Sequence, residues 1–197
     1  MKPGEKYKGQ VFDEQDLSHQ DLAECEFRDC SFVNCNLTNC KLNSASFFSC
    51  NLTNVDMAGS NLFGTEFTEC KLLGNKFTSD LVLKNAEFKK CNLSYAIFRG
   101  IDLSDMKFED CLFVEADLSL TNLERACFLN CDLTHVNFQE TKFLQTDLRG
   151  SNLTGMNLVV IGASGVKQGN VKGVIISSQQ FRYLAEELGI QVLDVVK

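Results

Sequence analysis

The chain has 197 residues, with 26 Asp and Glu against 19 Lys and Arg for a net charge of −7. That length suits one domain with a substantial interior, and the acidic balance repels a phosphate backbone, which argues against direct nucleic-acid binding and for a basic partner. The opening MKPGEKYKGQ has no apolar core of the secretory kind, and the longest apolar stretch near the end, Val159 to Ala163, is far too short to span a bilayer, so a soluble cytoplasmic protein is expected.

Residues 1–10 read as a polar lead-in. From Phe12 a period of five takes over: Leu or Phe stands at 12, 17, 22, 27, 32 and every fifth position to Phe77, with Met57 the single substitute. Val82 extends this series, the phase then slips by one residue near Asp80 to Lys84, and the series resumes from Phe88 to Leu158. The position two before each centre holds mostly Cys, Ala, Ser, Thr or Val, so both positions look inward. The other three of each five are polar, as solvent-facing sites should be.

Recurring residue types give the coil size. Phe27, Phe47, Phe67, Phe88, Phe108 and Phe128 step by 20, with one step of 21 across the slip, and Cys30, Cys50, Cys70, Cys91, Cys111 and Cys131 repeat the same steps. One turn is therefore four fives, and like stacks on like. The predicted fold for residues 11–158 is all-β, a four-sided parallel solenoid of roughly 36 Å at a strand spacing of ~4.8 Å.

Residues 159–197 differ. Gly162, Gly165, Gly169 and Gly173 punctuate a stretch in which Val166, Val171 and Ile176 make one last irregular coil. Ser177 and Gln180 have capping-box spacing, Phe181, Leu184, Ala185 and Leu188 form an apolar helical stripe, and Gly189 suits the position after the helix. Ile190 to Val196 reads as a strand. The helix covers the open end of the solenoid, and Phe181, Leu184 and Leu188 offer more apolar surface than a cap requires, so they are also the expected dimer interface.

Ten cysteines invite a metal or disulfide reading. Cys25, Cys30, Cys35 and Cys40, however, fall on four different sides of a square coil, whereas zinc needs its sulfurs close together. The stacked ladder gives parallel side chains of poor disulfide geometry, so nine of the ten read as small buried hydrophobes. Cys127, next to a centre, is the exposed exception. His19 and His135 both lie outward and far apart, the acid pairs Asp13-Glu14, Glu109-Asp110 and Glu186-Glu187 read as solvated charge, and sequons such as Asn36-Leu-Thr38 are by-products of the repeat. No catalytic, cofactor-binding or metal-binding constellation emerges.

Three stretches carry a more specific signal: VFDEQDLSHQDLAECEFRDCSFVNCNLTNCKLNSASFFSC, NLFGTEFTECKLLGNKF and NVKGVIISSQQFRYLAEELGIQV. They resemble the pentapeptide-repeat proteins of the Qnr type, with MfpA-like relatives, which act on bacterial DNA gyrase and topoisomerase IV. The resemblance implies a bacterial protein with a right-handed quadrilateral β-helix that dimerises through its C-terminal helix. It also implies a DNA-like acidic rod occupying the DNA groove of a type II topoisomerase, with quinolone protection or enzyme inhibition as the outcome. Strongly protective members carry two projecting loops; here the first is absent and the second is at most the one-residue slip.

Outward acids along the rod, Asp16, Asp21, Glu26, Asp56, Glu66, Glu87, Asp102 and Asp117, form the expected partner surface. Residues 12–158 hold 22 acidic and 12 basic side chains, a net −10, about half the ~21 charges of duplex DNA over the same length. The alternative is a β-helical scaffold for an unrelated protein partner, since the repeat alone confers no function.

Overall fold

The geometry of every five-residue step rests on one backbone event. Two residues past each buried centre except Phe77 the chain turns left-handed, as at Glu14 (φ 59°), His19 (φ 60°), Glu24 (φ 60°) and Asp29 (φ 54°), and this carries it onto the next side. The conformation costs a non-glycine residue about 1–2 kcal/mol, and among the described residues 22 such residues adopt it. Hydrogen bonds offset the cost. The corner N–H donates to the next coil, Glu14 to Val33 O and His19 to Thr38 O, each at 2.9 Å, and Gln15 N–H closes a turn onto Phe12 O at 3.2 Å. Asp or Asn just before a centre adds an Asx turn: the Oδ1 atoms of Asp16, Asn36, Asp56 and Asn92 each accept the N–H two residues on at 3.0 Å.

The computed structural model describes residues 1–156 and 171–187. Four such corners close one coil, and the coils stack into a right-handed quadrilateral parallel β-helix. Side 1 carries β1 (Lys6–Lys8), β2 (Glu26–Arg28), β3 (Ser46–Phe48), β4 (Glu66–Thr68), β5 (Glu87–Lys89), β6 (Lys107–Glu109) and β7 (Cys127–Leu129), parallel and in chain order. Their register aligns Tyr7, Phe27, Phe47, Phe67, Phe88, Phe108 and Phe128. The rings form one column, with neighbouring centroids 4.8–5.3 Å apart. Side 2 is built on the centres from Phe12 to Leu153, side 3 on those from Leu17 to Phe138, and side 4 on those from Leu22 to Phe143.

Where the second inward position holds Ser, Thr or Cys, its side chain commonly donates to the coil before. Ser60, Thr65, Thr141 and Thr146 donate their hydroxyls to a carbonyl 23 residues earlier, at 2.6–2.8 Å. Cys50 and Cys70 reach Phe27 O and Phe47 O in the same way through sulfur, at 3.4 and 3.3 Å. Cysteine here substitutes for serine with a larger, more apolar atom.

Two boundaries differ from the sequence reading. Residues 1–10 are not a lead-in, because β1 pairs with β2 and Tyr7 stacks on Phe27 at 5.1 Å, so the first coil includes them. Tyrosine, not Leu or Phe, fills the centre, which hid it. Val82 is not a centre either: it is 46% exposed whereas Leu83 is buried, so the inserted residue lies earlier, in the turn between Phe77 and Leu81.

That insertion breaks the ladder on two adjoining sides. On side 3 the bridge between Asp56 and Lys76 is not made, and on side 4 neither is the bridge between Val82 and Asp102, although Asn61–Val82 and Asp102–Asn122 are. Leu83 and Asn85 N–H consequently lack the bonds to Asp102 O and Ser104 O that the pattern elsewhere supplies. A cleft of about 350 Å³ opens there, lined by Leu81, Leu83, Lys84, Asn85, Asp102, Ser104, Asp105 and Met106. Beside the insertion the buried Asn75 Nδ2 has no partner, while its Oδ1 accepts Val55 N–H at 3.0 Å.

Past residue 170, Ile175 pairs with Asn152 and Leu153 N–H donates to Ile175 O at 2.7 Å, so 171–176 lay further wall over the last coil. Helix α1 (Ser178–Glu187) follows. Its capping box is formed: Gln180 N–H reaches Ser177 Oγ at 3.2 Å and Ser177 N–H reaches Gln180 Oε1 at 2.8 Å. Gln180 Nε2 also donates to Leu153 O and Met156 O at 2.7 and 2.8 Å, and these bonds seat the helix on the coil end. The expected terminal strand lies outside the described residues.

Deleting Ser79 restores the five-residue step, and at about 1 kcal/mol for each recovered hydrogen bond the deletion variant should gain about 2–4 kcal/mol of stability. In the parent chain, amide exchange should be faster at Leu83 and Asn85 than at Leu103 and Arg125. Unchanged stability on denaturant unfolding, with equal protection of these amides, would show that the ladder is intact in solution.

Candidate partner surface

The two aromatic and cysteine ladders are interior. Phe27, Phe47, Phe67, Phe88, Phe108 and Phe128 are buried, as are Cys30, Cys50, Cys70, Cys91, Cys111 and Cys131, and all ten cysteines are free thiols. Burial pushes the Cys35 thiol up to about 12, which leaves it without a reactive thiolate. Cys25, Cys35 and Cys40 each donate to a backbone carbonyl of the first coil, at 3.1–3.2 Å. No group of three or more metal-ligating side chains comes together among the described residues. Cys127 is half-buried on side 1, its thiol pushed up by burial and by the nearby Asp147. His19 and His135 sit at corners of sides 3 and 2, at opposite ends of the rod, and neither meets Cys127.

The eight acids singled out in the sequence do not share a face. Asp16, Asp56 and Asp117 lie on side 3, Asp21 and Asp102 on side 4, and Glu26, Glu66 and Glu87 on side 1. Their roles also differ. Lys41 holds the Asp21 carboxyl below its ordinary range across a 3.0 Å ion pair, and Lys6 does the same for Glu26 at 2.8 Å. The Ser18 hydroxyl and N–H hold Asp16 down. Glu66 faces Glu87 directly across the β4–β5 pair, a like-charge contact.

Ion pairing divides the rod in two. Every ion pair among residues 6–156 falls on side 1 or side 4: besides those of Glu26 and Asp21 they are Lys89–Glu109, Lys90–Glu69, Arg125 with Asp105 and Glu124, and Arg149–Asp147. Sides 2 and 3 have none. They carry the carboxylates of Asp13, Glu14, Glu115 and Asp132 and of Asp16, Asp56, Asp80, Asp117 and Glu140, against the cations Lys71, Lys76 and Arg99. Glu14, Glu115 and Glu140 stand at corners, and their carboxylates make no hydrogen bond or ion pair among the described residues. These corner acids were missed in the sequence, although sorting acids by position within the 20-residue turn exposes them.

A family model described as pentapeptide repeat region matches residues 6–77 and 81–159. The chain is a pentapeptide-repeat protein. The gap in the match, 78–80, coincides with the insertion that breaks the ladder. Among solved structures, full-length QnrB1, a plasmid-mediated fluoroquinolone resistance protein, superposes with a TM-score of 0.72 at 24% identity, covering 95% of this chain and 91% of that one. A trypsin-treated form of QnrB1 gives 0.69 at 24% identity, covering 97% and 92%. HetL, a pentapeptide-repeat protein involved in heterocyst differentiation regulation in the cyanobacterium Nostoc sp. strain PCC 7120, gives 0.51 at 19% identity, covering 88% and 85%. At these identities the likeness is one of fold. No curated protein matches the sequence. No helix among the described residues is long and apolar enough to cross a membrane.

Native thiol labelling should modify one cysteine, Cys127, more slowly than a free thiol at neutral pH and with a rate still rising above pH ~8.5, the ordinary cysteine value, because its thiolate forms late. Rapid labelling of several ladder cysteines by mass spectrometry would contradict the packed interior.

Proposed function

We propose that the chain binds a bacterial type II topoisomerase, DNA gyrase or topoisomerase IV, in competition with DNA, by presenting sides 2 and 3 to the enzyme's DNA groove. The observation that carries this reading is the division of charge: within residues 6–156, two adjoining sides carry nine carboxylates, none of them in an ion pair, against three cations, while the other two sides carry 13 carboxylates against 11 cations, with every ion pair among them. The fold shared with QnrB1 over nearly the whole of both chains supports it. The rod is a binding body and not a catalyst. With a one-residue insertion in place of a projecting loop, it inhibits the enzyme and gives little protection against quinolones.

The test is supercoiling by purified gyrase. Inhibition should appear at low salt and fade as salt rises, since exposed charges are screened beyond ~10 Å at 0.1 M. Glu14→Lys, Glu115→Lys and Glu140→Lys together should weaken it by about tenfold or more, with the fold intact, because these carboxylates stabilise nothing within the rod. Charge reversal at Asp16 or Asp21 is less informative, as both accept backbone N–H groups. If the wild-type protein leaves supercoiling unchanged at tens of micromolar, the scaffold reading replaces this one.

Dimerisation through α1 is part of the same proposal. Phe181 is 51% exposed on the helix while Ala185 is buried, Leu184 lies in the helix, and Leu188 falls outside the described residues. An isologous contact between two helices covers Phe181. Phe181→Asp should shift the sedimentation coefficient from dimer to monomer; a wild type monomeric at micromolar concentration refutes the contact.

A further inference from the structure

Corners are where this fold tolerates large apolar side chains least, since a left-handed backbone crowds the Cβ of a bulky residue and the side chain projects into water. Of the non-glycine corner residues among those described, all are Asn, Asp, Ser, Glu, Gln, His, Lys or Arg except two, Tyr95 (φ 60°) and Leu120 (φ 61°). Both are exposed, by 53% and 42%. They fall on successive coils at the two edges of side 3. Between and beside them lie Ile97 on side 3 and Leu112 on side 2, exposed by 38% and 43%. Each apolar residue has a carboxylate one coil on: Glu115 stacks over Tyr95, Asp117 over Ile97, Asp132 over Leu112 and Glu140 over Leu120.

We propose that this patch, on coils centred at Leu93 to Leu118, is an anchor for a protein segment that presents aliphatic side chains among lysines and arginines. Strain and solvent exposure at Tyr95 and Leu120 both cost stability in the free rod. Neither cost is needed to form a corner, because asparagine serves at Asn34, Asn39, Asn54, Asn85 and Asn130. The surrounding carboxylates select a cationic occupant, and the apolar side chains select one that is not a hydrophilic polycation. A DNA duplex offers no such apolar groups, so mimicry of charge accounts for the acids on these sides and not for Tyr95 and Leu120. The anchor rests on the reading that sides 2 and 3 face the partner, and it adds a salt-resistant contact to a salt-sensitive one.

The experiment uses two fluorescein-labelled peptides of equal length and charge, one of leucine and lysine in helical amphipathic order, the other with each leucine replaced by serine. By fluorescence anisotropy the wild-type protein should bind the leucine peptide about tenfold more tightly or better, and the preference should persist at high ionic strength while overall affinity falls. Tyr95→Asn with Leu120→Asn should erase the preference without lowering the melting temperature, as asparagine suits the corner better. Equal binding of the two peptides, or a preference that survives in the double variant, overturns the proposal. The same double variant is then measured against purified gyrase. Peptide preference without any binding of wild type to gyrase leaves the anchor standing and removes the topoisomerase as its partner.

Discussion

A left-handed corner every five residues is the constraint on which this molecule depends. It fixes the length of each wall, decides that one residue in five and the one two before it face inward, and aims the corner N–H at the coil ahead. The interior can then be repetitive to the point of stacking phenylalanine on phenylalanine seven rings deep with its terminal tyrosine. Stability is nearly a sum of like contacts between neighbouring coils. Outward positions are released from the fold and are free to carry charge.

That freedom is used unevenly. On sides 1 and 4 cations nearly match the acids in number, and several pair along the stack, as Lys41 does with Asp21 and Lys89 with Glu109. Exposed pairs of this kind contribute little to stability, about 0–1 kcal/mol each, but they cancel the field of the carboxylates. On sides 2 and 3 the field remains. A rod with modest overall charge thus presents two faces that are acidic and two that are nearly neutral, and only the first pair can steer a basic partner.

Much of the architecture was legible because two independent ladders, Phe and Cys, repeat at the same 20-residue step. The misreadings came where the inward residue was atypical. Tyr7 fills a centre in a polar decapeptide, and Leu81-Val82-Leu83 gives three apolar candidates for one centre, among which only the register of the next coil decides. The helix cap was readable from Ser177 and Gln180, yet the second use of Gln180, its two bonds to the last coil, involves Leu153 and Met156 and is invisible in a linear sequence. Which carboxylates keep an unpaired charge was not legible, since a carboxylate's neighbour across the ladder lies 20 residues away.

The insertion before Leu81 has a mechanical meaning. It unfastens one wall below the coil containing Phe77 and the adjoining wall above it, while the phenylalanine column on side 1 and the bridges on side 2 continue through without interruption. The intact walls act as the leather of a hinge and the open ones as its gap. Flexure at this point closes or widens the cleft on side 4 and changes the curvature of the opposite side 2, one of the two acidic faces. Among the described residues this is the one place where two adjoining walls lose their ladder bonds, and so the place where bending the rod breaks fewest of them.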